Sequence, residues 1–147
     1  MVSYTIVETK TLPTALGLAM TKEEVFDKAW RLGLKGDFSL VDEIYHPKYR
    51  AVQKNINVEV DLESDKIVIS TFSDVMIFGP FRVIFANDEF SCLERHLRSM
   101  LAGEPSYNTV ITAITYKDRK IITQESISER NQPDPSDGQD WNWEDYE

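Results

Sequence analysis

The residue whose type and position most directly suggest chemistry is Glu125, in the middle of a predicted β-strand. Pairing this strand with the preceding one puts Glu125 opposite Thr112, on the face that we predict to be inward. A carboxylate beneath a sheet costs free energy unless it is paired, hydrogen-bonded or protonated. Glu125 therefore has two interpretations. It is a structural residue that has a polar partner or lies at a solvated edge of the sheet, or it is an acid–base group in a pocket.

A second candidate lies in the segment that contains Glu94 and His96, which project from the same side of one predicted strand. A carboxylate two residues from an imidazole orients the ring and raises its pKa, which suits a general acid or base. The alternative is that Leu93 and Leu97, on the opposite side, face the core and leave both polar residues in solvent. A bulge near Phe90 would reverse the choice.

Both candidates depend on how the strands pair, and Tyr107–Arg130 predicts two long antiparallel strands with a tight turn at Asp118–Arg119. β-Branched residues crowd both strands, as a half-buried pleated surface prefers. Two-residue turns favour Gly or Asn where Arg119 stands, so a longer loop would shift the pairs by one. In the tight-turn register, the predicted inward face consists of Val110, Thr112, Ile114, Tyr116, Ile121, Thr123, Glu125 and Ile127.

Two helices are predicted before the sheet. Thr21–Glu24 has the pattern of a capping box, and an apolar stripe follows it through Gly33. Asp37 is placed to cap a second, shorter helix that stops at His46–Pro47, because proline cannot continue it. Leu62–Met76 is ambiguous, since its β-branched residues favour a strand whereas its apolar spacing also fits a helical face.

The other predicted segments complete an α+β order, in which helices precede a run of strands. They are a strand or packing arm at Ser3–Leu12, a connector at Pro13–Met20, strands at Tyr49–Val52, Phe81–Phe85 and Phe90–Ser99, and a polar loop at Asn55–Asp61.

The composition predicts a single folded domain. The chain has 147 residues, of which 41% are hydrophobic and 11% aromatic, enough for a core without metal or disulfide support. Cys92 is the single cysteine, so no internal disulfide is possible. Because no apolar run approaches the roughly 20 residues of a membrane span and the start lacks a signal-peptide pattern, we expect a cytoplasmic protein.

The net charge of −9 is concentrated at the end of the chain, where residues 131–147 carry six acids and no Lys or Arg. Without a basic face, nucleic acid is an unexpected partner. Trp141, Trp143 and Tyr146 lie among these acids. We expect them either to dock across the mouth of a pocket or on a second subunit, or to stay in a disordered tail.

Metal and cofactor motifs are not found in the sequence. Two histidines and one cysteine at distant positions do not form a zinc pattern, and no glycine-rich phosphate loop occurs. Any chemistry is therefore expected to proceed without a metal or a cofactor.

Three segments resemble the nuclear transport factor two-like superfamily, which includes SnoaL-like polyketide cyclases, ketosteroid isomerase and scytalone dehydratase. They are Ala29–Asp37, Phe38–Tyr45 and Tyr116–Ile122. The resemblance covers roughly residues 20–130, and Arg119 stands where many members have Gly. It implies a cone-shaped half-barrel, a curved antiparallel sheet with about three helices on its concave face. The chain then divides into one domain over 1–130 and an acidic aromatic tail over 131–147, and 62–76 is expected to be helical.

The resemblance also implies a pocket for a small apolar or oxygenated organic ligand, and a homodimer through the outer face of the sheet. A cofactor-independent isomerase, dehydratase or cyclase would work there by proton transfer. The expected proton carriers are Glu125, His96 and Glu94, and the expected ligand-binding residues are Trp30, Tyr45, Tyr49, Thr112 and Tyr116. Trp30 is alternatively a plain core residue. A non-catalytic association or ligand-binding module is the alternative function, and both hypotheses stay open here.

Overall fold

The computed structural model describes the backbone of residues 11–13 and 19–147 and the side chains of residues 20–147. Residues 3–10 of the predicted strand or arm lie outside the described residues. The elements are β1 (Thr11–Pro13), β2 (Ala19–Thr21), α1 (Lys22–Leu34), α2 (Ser39–Ile44), β3 (Tyr45–Gln53), β4 (Val58–Val60), α3 (Leu62–Phe72), β5 (Met76–Asn87), β6 (Phe90–Leu101), β7 (Glu104–Lys117), β8 (Lys120–Asn131) and a short 3₁₀ turn (Trp143–Tyr146).

Six of the strands form one curved, unclosed sheet in the order β4-β3-β8-β7-β6-β5. Strands β5 to β8 are an antiparallel meander, as predicted, whereas β3 runs parallel to β8. Strands β1 and β2 pair separately. The predicted α+β half-barrel with three helices is therefore confirmed, and the parallel β3–β8 pair makes its sheet a mixed one.

Helix α1 begins where the sequence predicts, because the Thr21 hydroxyl accepts a hydrogen bond from the Glu24 backbone N–H at 3.1 Å. Its apolar stripe includes Ala29 and Trp30, which are buried in the core. A side-chain carbon at Gly33 would lie 2.7 Å from the Phe38 ring. The absence of a side chain at Gly33 thus allows the α2 end of the loop to pack directly on α1.

The two later helices differ slightly from the predictions. The Asp37 carboxylate accepts from the Ser39 backbone N–H at 3.0 Å, while the cap position itself belongs to Phe38. Helix α2 ends at Ile44 rather than at His46–Pro47, since Tyr45 is already extended as the first residue of β3. The helical interpretation of 62–76 is confirmed for α3, which the Asp61 side chain caps.

The core lies between the helices and the inner face of the sheet. Ala29 and Val41 from the helices and Ile114 from β7 are fully buried, and Ile121 from β8 is 1% exposed. Burying an aliphatic side chain of this size contributes about 1.5–3 kcal/mol, so this layer supplies much of the stability of the fold.

The β7–β8 turn has the predicted form. Asp118 and Arg119 have φ values of 53° and 64°, which match the two left-handed residues of a two-residue hairpin turn. Lys117 pairs with Lys120 and Tyr116 with Ile121, as predicted. The turn therefore forms without Gly or Asn at the position of Arg119.

Beyond these two pairs the predicted register is wrong by one residue. Tyr116 pairs with Ile121 but Thr115 pairs with Thr123, so one extra residue, Ile122, is accommodated in β8. Such a bulge shifts all later pairs and moves each side chain to the opposite face. Thr112 consequently pairs with Ser126 instead of Glu125.

The bulge corrects the predicted inner face on β8. Ile114 and Thr112 of β7 are buried as expected. Glu125 instead pairs with Ala113 on the outer face, where its side chain is 54% exposed and lies 3.7 Å from Lys54 Nζ. Ile127 is 52% exposed. The prediction that Glu125 and Ile127 point inward is therefore wrong. Glu125 lies in solvent beside a lysine, which agrees with the alternative, structural interpretation of this residue.

The C-terminal segment packs on the outer face of its own chain. Trp143 is 3% exposed, and its ring contacts Gly79 and stacks on Tyr107 with centroids 5.9 Å apart. Trp141 stacks on His96 at 6.1 Å. The aromatic residues therefore dock, but on the outer face of their own sheet and not across the mouth of the cavity. The division of the chain after residue 130 stays a prediction.

Candidate active site in the cavity beneath the sheet

A cavity of about 320 Å³ lies between the helical layer and the inner face of the sheet. Its apolar wall includes Phe26, Trp30, Phe78, Leu93, Leu97 and Val110. A smaller number of polar side chains interrupts this wall: Gln53, Asp65, Arg95, Thr112, Gln124, Ser126 and Ser128. An apolar cavity with a few converging polar groups is the usual form of a small-molecule site.

Asp65 supplies the carboxylate of this wall. It lies four residues before Ile69 on α3, and both side chains line the cavity because that spacing puts them on one helical face. The Tyr49 hydroxyl donates a hydrogen bond to Asp65 Oδ2 at 3.4 Å. Burial raises the pKa of Asp65 to about 6, although the Tyr49 hydrogen bond acts to lower it. Asp65 therefore changes protonation close to neutral pH.

A hydrogen-bonded chain holds the polar side chains next to Asp65. Trp30 Nε1 donates to Tyr45 Oη at 2.9 Å, and Tyr45 Oη donates to Gln124 Oε1 at 2.9 Å. The Tyr45 and Tyr49 rings pack edge to face with centroids 4.5 Å apart. Burial raises the pKa of both phenols far above neutral, so both stay protonated and able to donate.

Four of the five predicted ligand-binding residues separate into two groups. Trp30 and Thr112 line the cavity, and the Thr112 hydroxyl lies 3.1 Å from the Ser126 hydroxyl. Tyr45 and Tyr49 lie behind this wall and act through Gln124 and Asp65. Trp30 also belongs to the core, as its alternative interpretation predicts, and its role in ligand binding stays a prediction.

Tyr116 does not line the cavity. It packs against the core with the Lys22 ammonium 5.1 Å from its ring centroid. Nearby, the fully buried Glu23 pairs with Lys22 and accepts a hydrogen bond from Ser91 Oγ at 2.6 Å. This buried carboxylate is structural, because its partners fix the start of α1 onto β6.

Arg95 brings positive charge to the cavity wall. Its Nη2 donates to Asp27 Oδ1 at 2.5 Å, and its guanidinium lies 4.4 Å from the Phe78 ring centroid. Asp27 Oδ2 also accepts from Arg31 Nε at 2.9 Å. Burial lowers the pKa of Arg95 to about 10 against the opposing effect of Asp27, so the guanidinium remains charged at neutral pH.

The predicted proton carriers His96 and Glu94 lie on the outer face of the sheet. Leu93 and Leu97 line the cavity instead, which is the alternative that the sequence left open. His96 Nδ1 is 2.9 Å from Thr109 Oγ1, and Glu94 pairs with Arg82 at 3.3 Å. Burying the two leucines gains free energy, and Arg95, which is buried between them, has Asp27 as a partner for its charge, which together explain the orientation of β6.

Sequence reasoning missed Asp65 and Arg95. Arg95 lies between Leu93 and Leu97 at period two, so their inward orientation carries the guanidinium with them. Asp65 required the helical interpretation of α3, after which its spacing to Ile69 marks the inward face. Gln124 could not be found, because it faces the cavity as a result of the bulge at Ile122.

The raised pKa of Asp65 predicts a pH-dependent effect on stability. Because its pKa of about 6 in the folded protein exceeds the value of about 3.9 when unfolded, folding favours the protonated form. This stabilisation is complete below about pH 4 and is lost as the pH rises through 6. Asp65→Asn is expected to raise the free energy of unfolding by about 1–2 kcal/mol at pH 7.5, allowing for partial exposure, and to leave it unchanged near pH 4.

Urea unfolding at the two pH values measures this difference. Glu63→Gln is the matched control on the same helix, because Glu63 is 76% exposed and pairs with Lys66 at the surface. Equal changes at both pH values for Asp65→Asn would contradict the assigned environment.

Neither a metal site nor a membrane span is found in the part of the chain that the structure describes. No group of three or more His, Cys, Asp and Glu side chains there is arranged to hold a metal ion. No described helix has the length and apolar character needed to cross a bilayer.

No protein-family model matches the chain, and no curated protein matches its sequence. Several solved structures are similar. IdmH from Streptomyces antibioticus, a candidate polyketide cyclase, has a TM-score of 0.60 and 12% identity over 73% of this chain and 91% of its own. An NTF2-like protein of unknown function from Cytophaga hutchinsonii has a TM-score of 0.58 and 15% identity over 73% of this chain and 98% of its own. A candidate SnoaL-like polyketide cyclase from Jannaschia has a TM-score of 0.57 and 12% identity over 73% and 84%.

Proposed function

We propose that this chain, which has the nuclear transport factor two-like fold, binds a small apolar, oxygenated organic molecule and transfers a proton to or from it without a cofactor. The observation that carries the proposal is a carboxylate with a pKa of about 6, Asp65, in the wall of a largely apolar cavity. Two similar structures are described as candidate polyketide cyclases, which supports a reaction of the isomerase, dehydratase or cyclase kind.

Asp65 is the general base of this proposal. A base whose pKa lies near the working pH combines a useful ionised fraction with a sufficient affinity for the proton. It would accept a proton from a carbon next to a carbonyl group, and Tyr49 holds the carboxylate in place through its hydrogen bond. Return of the proton from Asp65 to another carbon completes an isomerisation. In a dehydration the C–O bond to a β-hydroxyl breaks instead, and the proton held by Asp65 passes to that hydroxyl, which leaves as water.

The negative charge that develops on the carbonyl oxygen requires hydrogen-bond donors. Tyr45 donates to Gln124 Oε1, so the amide nitrogen of Gln124 is the end that can donate toward the cavity. The Thr112 and Ser126 hydroxyls line the same wall. These neutral donors suit a transient enolate, because they stabilise it without forming a permanent ion pair.

Deuterium exchange of an α-proton tests the proposal without knowledge of the natural substrate. We would follow 2-tetralone, cyclohexanone and acetophenone in D₂O by proton NMR, with and without the protein. At least one ketone is expected to exchange faster with protein than in buffer, with a rate that rises through pH 6 as Asp65 ionises. Exchange at the buffer rate for the whole set would contradict proton transfer in this cavity.

A homodimer through the outer sheet face is a further part of the proposal. Ile111 and Ile127 pair there across β7 and β8, and they are 42% and 52% exposed. Exposed apolar side chains of this size on a sheet surface suit an association site. The same isoleucine pair supports the second candidate function, a non-catalytic association or ligand-binding module. The exchange experiment distinguishes the two functions.

Sedimentation equilibrium tests the dimer. The protein is expected to have twice its chain mass of 17.0 kDa, and Ile111→Asp is expected to shift it to the monomer because a charge would be buried at the contact. Ile67→Asp on α3 is the matched control, since Ile67 is 65% exposed away from the sheet. A monomeric parent protein would rule the contact out.

We also propose a cytoplasmic location, which the single Cys92 supports.

A further inference from the structure

The guanidinium of Arg95 is incompletely paired inside the cavity wall. Its Nη2 bonds to Asp27, but the buried Nη1 has no hydrogen-bond partner among the described residues. The Arg95 side chain is 12% exposed and lines the cavity. A buried donor without a partner is unfavourable, and more so when it is charged, so such a group commonly binds a ligand or an ion.

Asp27 does not neutralise the positive charge at this place. Its two carboxylate oxygens are shared between Arg95 and Arg31, so the three side chains carry one net positive charge. Arg31 is further occupied by the backbone carbonyls of Phe78 and Gly79, at 2.6 and 2.5 Å. The remaining hydrogen-bonding capacity and the net charge therefore both belong to Arg95.

The surroundings of Arg95 strengthen its attraction for an anion. Phe78 lies against its guanidinium, and Leu93 and Leu97 flank it on the same face of β6. Charges interact more strongly where water is excluded, and a planar guanidinium matches the geometry of a carboxylate. Most of the remaining wall is apolar, which suits the hydrocarbon part of the same molecule.

We propose that the ligand of this cavity is an apolar carboxylate, an aryl or alkyl acid whose carboxylate binds Arg95 while its hydrocarbon part fills the space toward Asp65. This inference rests on the proposed function and narrows its ligand class. The arrangement separates two tasks: Arg95 anchors the anion on β6, and Asp65 on α3 handles the proton.

Paired acids and amides test the inference. Isothermal titration at pH 8 would compare 2-naphthoate, 3-phenylpropionate and octanoate, each with its own primary amide. The carboxylate of each pair is expected to bind at least about tenfold more tightly than its amide, because a hydrogen bond to a charged group is stronger. Equal affinity within the pairs would overturn the anion site and leave the small-molecule site standing. Failure of all six compounds to bind would overturn the proposed function itself.

Variants assign the preference to Arg95. Arg95→Met is expected to bind acid and amide equally, and Arg95→Lys to keep part of the preference. Arg82→Met is the matched control, because Arg82 pairs with Glu94 on the outer face. Asp27→Asn is expected to increase the preference for the acid, since it removes the competing carboxylate, and unfolding cannot imitate that increase. A preference that persists in Arg95→Met or falls in Asp27→Asn would refute the assignment.

Discussion

Replacing Asp65 by Asn is expected to slow α-proton exchange of a bound ketone by about 10²–10⁴-fold. Asn has nearly the same shape and can still accept the Tyr49 hydrogen bond, but it cannot take up a proton at neutral pH. The loss should therefore appear in the catalytic rate, while the affinity for the ketone changes little. NMR exchange rates measured over a range of ketone concentrations separate these two quantities.

The control for this loss is Glu63→Gln, which removes a carboxylate from the exposed side of the same helix. It should exchange at the parent rate. Tyr49→Phe provides a graded comparison, because it removes the donor that orients Asp65 and leaves the carboxylate in place. An Asp65→Asn protein that keeps the parent rate would remove this residue from the mechanism and leave the cavity as a binding site.

Replacing Trp143 by Ala is expected to lower the free energy of unfolding by about 3–5 kcal/mol, the cost typical of deleting a buried indole. Trp143 is 3% exposed, stacks on Tyr107 and donates from Nε1 to Asp134 at 2.9 Å. Its ring fits against Gly79, where an added side-chain carbon would lie 2.8 Å from it. The C-terminal segment is thus packed like a part of the domain.

Chemical unfolding followed by far-ultraviolet circular dichroism measures the Trp143 effect. Glu144→Gln is a surface control beside it, in the same 3₁₀ turn, and should change stability by less than about 0.5 kcal/mol. Gly79→Ala should reproduce part of the Trp143 loss, because the new methyl group would also meet the His96 carbonyl oxygen at 3.1 Å. A Trp143→Ala protein as stable as the parent would show that the docked segment contributes nothing.

The sequence predicts most of the fold because its strongest local signals agree with the final packing. The Thr21 cap, the apolar stripe through Trp30 and the alternation along β7 all reappear in the structure. Pairing between β3 and β8 was not predicted, since these strands are distant in sequence and nothing in Tyr45–Gln53 specifies a parallel partner.

The site was predicted less well, and on β8 the reason is a single residue. The bulge at Ile122 moves Glu125 out of the interior and puts Gln124 and Ser126 in its place. A bulge leaves no clear mark in a strand where β-branched and polar residues occupy both faces. Asp65 was missed for a different reason, because its raised pKa depends on burial by distant parts of the chain, which the helical interpretation of 62–76 does not reveal.

The parallel pairing of β3 with β8 also governs how the protein is assembled during synthesis. About 70 residues separate the paired positions, such as Arg50 and Thr123. The early helices and β3 leave the ribosome well before the strand that they must join, and pairing over such distances is slow. Completion of the domain therefore waits for β8, and the apolar helix faces of the incomplete chain stay exposed until then, which favours aggregation.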